Sequence, residues 1–125
     1  MTFQNTWFAA ILCAVFLTGC GKSPESTVEN FYKAVAKGEI TEAQSYVSAQ
    51  LVGMLGQPKL STVLSAQTEQ IRACGGIKNV TVKLQGEGEV RTGTSTVTYS
   101  ENCPPKTEKT KLVKEDGEWK ITANK

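Results

Sequence analysis

The sequence predicts an α+β fold, with helices first and then a meander of about four strands, the helices packed on one face of a curved antiparallel sheet. Three observations predict it. Apolar residues recur at helical spacing from residue 24 to about 74. From residue 77 the spacing becomes two, and the change falls at Gly75-Gly76. Turn residues at Gly86-Glu87-Gly88, Asn102-Cys103-Pro104-Pro105 and Asp116-Gly117 then divide the second half into strands.

Ser23-Pro24 opens the first helix, with Ser as N-cap and Pro at the first helical position. Glu25 suits the positive end of the helix dipole. Val28, Phe31, Tyr32 and Val35 give it one apolar face, and Gly38 ends it as a left-handed cap. Lys33 and Lys37 fall on the solvent side. A short second helix is expected over roughly Thr41 to Val47. Residues 48–58 are apolar but broken by Gly53, Gly56 and Pro58. They read as a loop over the core or, more sharply, as a lid with glycine hinges and an adaptable Met54. The third helix spans about Lys59 to Cys74, with Leu60, Val63, Leu64, Ile71 and Cys74 on one side and Gln67 and Gln70 less apolar.

Val80, Val82 and Leu84 alternate with Thr81, Lys83 and Gln85, which is a half-buried strand with one wet face. The second strand covers Val90 to Ser100, where Gly93 is a candidate bulge. Lys106 to Lys114 forms the third. Asp116-Gly117 makes a type I′ turn into the fourth, Glu118 to Ala123, which places Trp119, Ile121 and Ala123 on one face. Thr81, Lys83, Gln85, Thr96, Thr98, Lys109 and Lys111 are expected on the exposed face.

The chain begins with an apolar run, Trp7 to Leu17, too short to span a bilayer and of the length of a signal-peptide core. It ends in Leu17-Thr18-Gly19-Cys20, which resembles a bacterial lipobox. The resemblance implies that residues 1–19 are a cleaved signal peptide and that Cys20 carries lipid. Met1 to Thr6 contains no Lys or Arg, so only the terminal amine is positive there. Residues 20–23 are a lipid-modified tether and 24–123 a single α+β domain. Gly21-Lys22-Ser23 reaches about 10 Å at full extension, so the domain is expected close to the bilayer. Two or three acyl chains make such anchoring stable. Gly21, in place of the Asp that commonly retains lipoproteins in the inner membrane, favours the outer membrane facing the periplasm.

Removing residues 1–19 from the 125 leaves 106, enough for one cored domain. The 14 Lys/Arg and 12 Asp/Glu all lie in that part, so its charge is a balanced +2. Nucleic acid is not an expected partner. Lys106, Lys109, Lys111, Lys114 and Lys120 alternate with Glu108, Glu115, Asp116 and Glu118, read as mixed surface charge with headgroup contact as the lesser alternative. The absence of histidine removes the commonest general base and metal ligand. No cofactor and no metal are expected. Cys13 leaves with the leader and Cys20 takes lipid, so Cys74 and Cys103 form the pair expected to bond in an oxidising compartment. Closing that loop of about 30 residues contributes roughly 3–4 kcal/mol.

Three stretches carry a wider resemblance. Ser23-Pro24-Glu25-Ser26-Thr27-Val28-Glu29-Asn30-Phe31-Tyr32 opens the first helix. Ala34-Val35-Ala36-Lys37-Gly38-Glu39-Ile40-Thr41-Glu42-Ala43 forms the helix corner, and Val113 through Ile121 the closing hairpin. Together they resemble small bacterial lipoproteins of unknown function in the nuclear-transport-factor-2-like superfamily, also called cystatin-like or lumazine-binding-like. The resemblance implies a cone of helices around a bent sheet, with a cavity between. Superfamily members use that cavity for catalysis or small-molecule binding, or dimerise through the open sheet face, and fold alone does not choose among these.

The leading functional expectation is a non-catalytic, lipid-anchored binding or interaction module at the membrane surface. Its partner is an unknown envelope protein or a second copy joined through the sheet face. The alternative is a binder of a small apolar ligand, with Tyr32, Tyr46, Tyr99 and Trp119 lining the helix–sheet cavity. Catalysis is the least favoured reading. No catalytic residue is assigned, and Glu69 is its one weak candidate.

Overall fold

A computed structural model describes residues 22–124. The expected signal peptide, residues 1–19, and Cys20 and Gly21 lie outside the described residues. Four helices precede four strands: α1 Pro24–Lys37, α2 Ile40–Ser45, α3 Ala49–Leu55, α4 Gln57–Ala73, then β1 Ile77–Gln85, β2 Val90–Tyr99, β3 Lys106–Glu115 and β4 Glu118–Thr122. The strands form one antiparallel sheet in the order β1-β2-β3-β4, an open curved sheet in an α+β fold. No helix among the described residues is long and apolar enough to cross a membrane.

Local chemistry explains α1. The Ser23 side chain accepts from the Ser26 N–H at 3.1 Å, and Gly38 sits at φ 77° where its N–H closes the last turn. Val28, Phe31, Ala34 and Val35 are buried beneath it. Phe31, Ala34 and Val35 meet Ala43, Val47, Leu60, Leu64 and Ile71 in one core. α1 packs on the sheet against both β1 and β4 and also touches α2 and α4.

The segment expected as a loop over 48–58 is a helix instead. Ser48 caps α3 by accepting from Leu51 N–H at 3.1 Å. Gly56, at φ 84°, then separates α3 from α4, whose first turn contains Pro58. A cap and a tolerated Gly53 outweigh the turn residues that made this stretch read as irregular. Leu51, Val52 and Leu55 pack on the core, while Met54 is 58% exposed. On α4 the buried positions are Leu60, Leu64, Thr68 and Ile71. Val63, expected on that face, is 42% exposed. Thr68 fills the inward place and donates to the Val35 carbonyl at 2.6 Å.

The second helix stops at Ser45, so that Val47 pairs in parallel with Ile121. Ile121 N–H reaches the Tyr46 carbonyl at 2.7 Å, and Ser48 N–H reaches the Ile121 carbonyl at 2.8 Å. This short segment covers the β4 edge of the sheet, which otherwise offers unpaired backbone groups. Buried Ser48 and Thr122 also share a hydroxyl bond of 2.8 Å.

Gly93 is not a bulge. It pairs in register with Leu84 and Thr110, and the register irregularity lies between Ile77 and Asn79. A Cβ at Gly93 would run into the Lys83 carbonyl, so glycine is there for a close approach between strands. Asp116 and Gly117 both have positive φ, 52° and 81°, as a type I′ turn requires. The inward face of the sheet carries Val97, Ser95 and Leu112, the last fully buried. The outward face carries Thr81, Thr96 and Thr107 paired across three strands, with Lys83 and Lys109 exposed. Cys74 and Cys103 are joined, with Cα atoms 5.6 Å apart. The bond ties the end of α4 to the β2–β3 connection, beside the Glu101 N–H to Cys74 carbonyl bond of 3.0 Å.

Candidate functional site

Between α1, α4 and the sheet lies a polar cluster within an apolar interior. Consecutive residues on α1 diverge there. Phe31 enters the core, and Tyr32 meets its ring edge-to-face, with centroids 5.4 Å apart. The Tyr32 hydroxyl donates to Glu108 Oε1 on β3 at 3.0 Å. The other Glu108 oxygen faces Lys106 Nζ at 3.6 Å. Burial raises the Tyr32 phenol far above its ordinary value, and the charge and hydrogen bond of Glu108 add to the shift. Tyr32 is therefore held as a neutral donor.

Around this pair the free space is small. One partly open void of about 130 Å³ runs from Val28, Phe31, Tyr32 and Gln67 to Lys109 and Lys111. A second, of about 20 Å³, adds Tyr99, Val97 and Ile71. Buried Gln67 Oε1 has no hydrogen-bond partner among the described residues. Pockets for drug-sized ligands run to ~300–1,000 Å³. The larger void suits a few waters at about 30 Å³ each, which is the usual way an acceptor such as Gln67 is satisfied. A carboxylate beside a phenol is a general acid–base pairing in principle; here one Glu108 oxygen accepts from Tyr32 and the other faces Lys106.

The four aromatic residues expected to line one cavity fall into two groups. Tyr32 and Tyr99 border the space of about 20 Å³ beside Glu108, and Tyr32 also the one of about 130 Å³. Tyr46 and Trp119 line an open recess of about 340 Å³ on the outside, with Lys22, Thr27, Ser45 and Lys120. Trp119 shares a sheet face with Ile121 but lies two residues closer to the hairpin turn. There its ring is covered by the Arg91 guanidinium at 5.0 Å and Lys114 Nζ at 5.6 Å. Lys22 Nζ lies 5.9 Å from the centre of the Tyr46 ring, and the Tyr46 hydroxyl meets Glu42 Oε2 at 3.5 Å. Desolvation, then the Glu42 charge, raise the Tyr46 phenol above its ordinary value. Lys120 Nζ donates to the Ser45 carbonyl at 2.6 Å and pairs with Glu118 at 3.3 Å.

A further open groove of about 400 Å³ runs between α1 and β1, past Glu29, Lys33, Lys37, Ile77 and Lys78. Glu69 lies on the solvent side of α4, 3.2 Å from Arg72. No three His, Cys, Asp or Glu residues come together as a metal site among the described residues.

Glu108 and Gln67 are the site residues that sequence reasoning missed. By sequence Glu108 reads as one of the mixed surface charges. Its signal was strand alternation, since Leu112, Thr110 and Glu108 share a face and Leu112 is deep in the core. Gln67 reads only as a less apolar position on its helix.

No curated protein matches the chain. Among solved structures, it is similar to a Campylobacter jejuni protein that carries the provisional name NTF2-like transpeptidase. The two are 18% identical, with a TM-score of 0.70, over 82% of this chain and 100% of that one. At that identity the likeness speaks for the fold, and the fold is NTF2-like. A model for the domain of unknown function DUF4878 matches residues 18–122, and the chain belongs to that family.

Proposed function

We propose that this chain is a lipid-anchored protein of the bacterial cell envelope that works as a non-catalytic binding module through its outer surface. The anchor is lipid on Cys20, supported by the lipobox pattern and the short apolar leader. Gly21 after the cysteine favours the outer membrane, facing the periplasm, in a cell that has one. The observation that carries the binding mode is the filled interior. The Tyr32–Glu108 bond occupies the helix–sheet space, leaving only about 130 and 20 Å³ free beside it, while the larger recesses of about 340 and 400 Å³ lie elsewhere on the surface.

A peptide-transfer role taken from the Campylobacter jejuni neighbour finds little support in these residues. Such chemistry needs an activated nucleophile. There is no histidine to act as base, and Cys74 and Cys103 are joined to each other. A second copy of the chain is a weaker partner for the outward sheet face than a different protein. That face offers Thr81, Thr96, Thr107, Lys83 and Lys109, with little apolar area to drive self-association. A small-molecule reading keeps one favourable observation, the unpartnered Gln67 carbonyl beside the void.

Native mass spectrometry of the protein purified from envelopes tests the proposal. The expected species lacks residues 1–19, carries two or three acyl chains and holds no further small molecule. An unmodified full-length mass contradicts the anchor. A stoichiometric ligand retained by the domain contradicts the surface mode.

A further inference from the structure

We infer that the Tyr46–Trp119 recess is the face that rests on the bilayer, and that its cations engage anionic phospholipid headgroups. The inference deepens the reading above and rests on its anchor at Cys20. Two observations carry it independently of each other.

The first is chain length. Lys22 lines the recess, and Cys20 is two residues upstream. Two residues span at most about 7 Å. Lipid on Cys20 therefore enters the membrane within that distance of the Lys22 backbone. A domain held so closely cannot turn this end away from the bilayer.

The second is composition. Trp and Tyr suit the boundary between headgroup and acyl chain, because each joins an apolar ring to a polar tip. Trp119 lies between Arg91 and Lys114, and Tyr46 beneath Lys22. Lys22 and Lys120 line the recess itself, and Arg91, whose Nη1 also donates to the Gly88 and Val90 carbonyls, and Lys114 stand over the Trp119 ring, against the carboxylates of Glu118 and Glu42. Basic groups next to a membrane are drawn to anionic lipid. The outward sheet face, with Thr81, Lys83, Thr96 and Lys109, has cations but no aromatic ring, and no anchor beside it.

Tryptophan fluorescence reads this face directly. The chain has two tryptophans, and Trp7 leaves with the leader, so Trp119 is the single reporter in the mature protein. The acylated protein is inserted into vesicles of phosphatidylcholine alone, or with one quarter phosphatidylglycerol, both brominated high on the acyl chain. Its mass is measured first, which tests the anchor separately. The expected result is loss of most Trp119 emission in the anionic vesicles, with weaker loss in the neutral ones. Lys22→Glu with Lys114→Glu should restore emission in the anionic vesicles, and Lys83→Glu should not. A protein with no acyl mass overturns the anchor and this inference with it. An acylated protein whose Trp119 is unquenched in both vesicles overturns the inference and leaves the anchor standing. Equal quenching in both vesicles overturns the part assigned to anionic headgroups.

Discussion

Tyr32, which reaches from α1 to Glu108 on β3, and Trp119, on β4 beside Lys114, are treated differently by their surroundings. Tyr32 is turned inward, its hydroxyl paired with Glu108 at 3.0 Å and its ring packed on Phe31. Trp119 is half-buried, covered by the side chains of Arg91 and Lys114 and bordering an open recess. A buried polar group must find a partner or cost free energy, and once paired it stiffens its surroundings. An aromatic ring under exposed cations loses little when those cations turn to another anion, because each contact is worth only about 0.5–1 kcal/mol. The interior end thus holds the fold, and the recess end remains available.

The largest test of this contrast is Cys74→Ser. It frees the end of α4 from the β2–β3 connection and should cost about 3–4 kcal/mol. For a domain of this size the melting temperature should fall by about 10 °C or more in a calorimetric scan. If the interior end holds the fold, unfolding should stay cooperative but begin earlier.

Ser48→Ala comes next. It removes the α3 cap and leaves the buried Thr122 hydroxyl without its partner, a loss of about 2 kcal/mol in denaturant titration. Because Tyr46 joins β4 through the same short segment, the variant should also loosen the wall of the recess. Faster amide exchange at Ile121 would report that.

Tyr32→Phe should cost about 1 kcal/mol, since Glu108 keeps Lys106 and partial access to water. Its signature is in the pH dependence. The folded chain holds the Tyr32 proton above the pH of about 10 at which an unfolded tyrosine releases it. That stability is complete below about 10 and is lost as the pH rises further. Denaturation curves at alkaline pH should therefore fall less steeply for Tyr32→Phe than for the parent. Equal slopes would mean that Tyr32 is not sealed.

The smallest effect is expected at the recess. Lys114→Ala removes one cation from Trp119 and should change stability by about 0.5 kcal/mol. A much larger loss would make the recess a structural element and end the contrast.

Much of the fold could be read from local chemistry. Ser23, Pro24 and Gly38 bound α1, Asp116-Gly117 announces the last hairpin, and β1 alternates as a half-buried strand should. What escaped were features set by tertiary partners. The α3 helix is seven residues long and interrupted by Gly53, and its one clear signal is the Ser48 cap. Val47 reads as helical by spacing but is claimed by Ile121, 74 residues away. The Tyr32–Glu108 bond spans 76 residues, and no local pattern encodes it. Strand alternation could have turned Glu108 inward, but its charged neighbours concealed that. Trp119 and Ile121 share a face by alternation, yet only the pairing of β2 with β3 brings Arg91 and Lys114 to the ring.

Lysine footprinting on the membrane-bound protein tests the central contrast most directly. The acylated protein is treated with an amine-reactive label on vesicles containing phosphatidylglycerol and again in detergent, and labelling is compared lysine by lysine. Lys22, Lys114 and Lys120 should be protected several-fold on the vesicles, while Lys83 and Lys109 on the outward sheet face label equally in both. Equal labelling at all five, or protection at Lys83 and Lys109 in place of the recess lysines, would contradict the account.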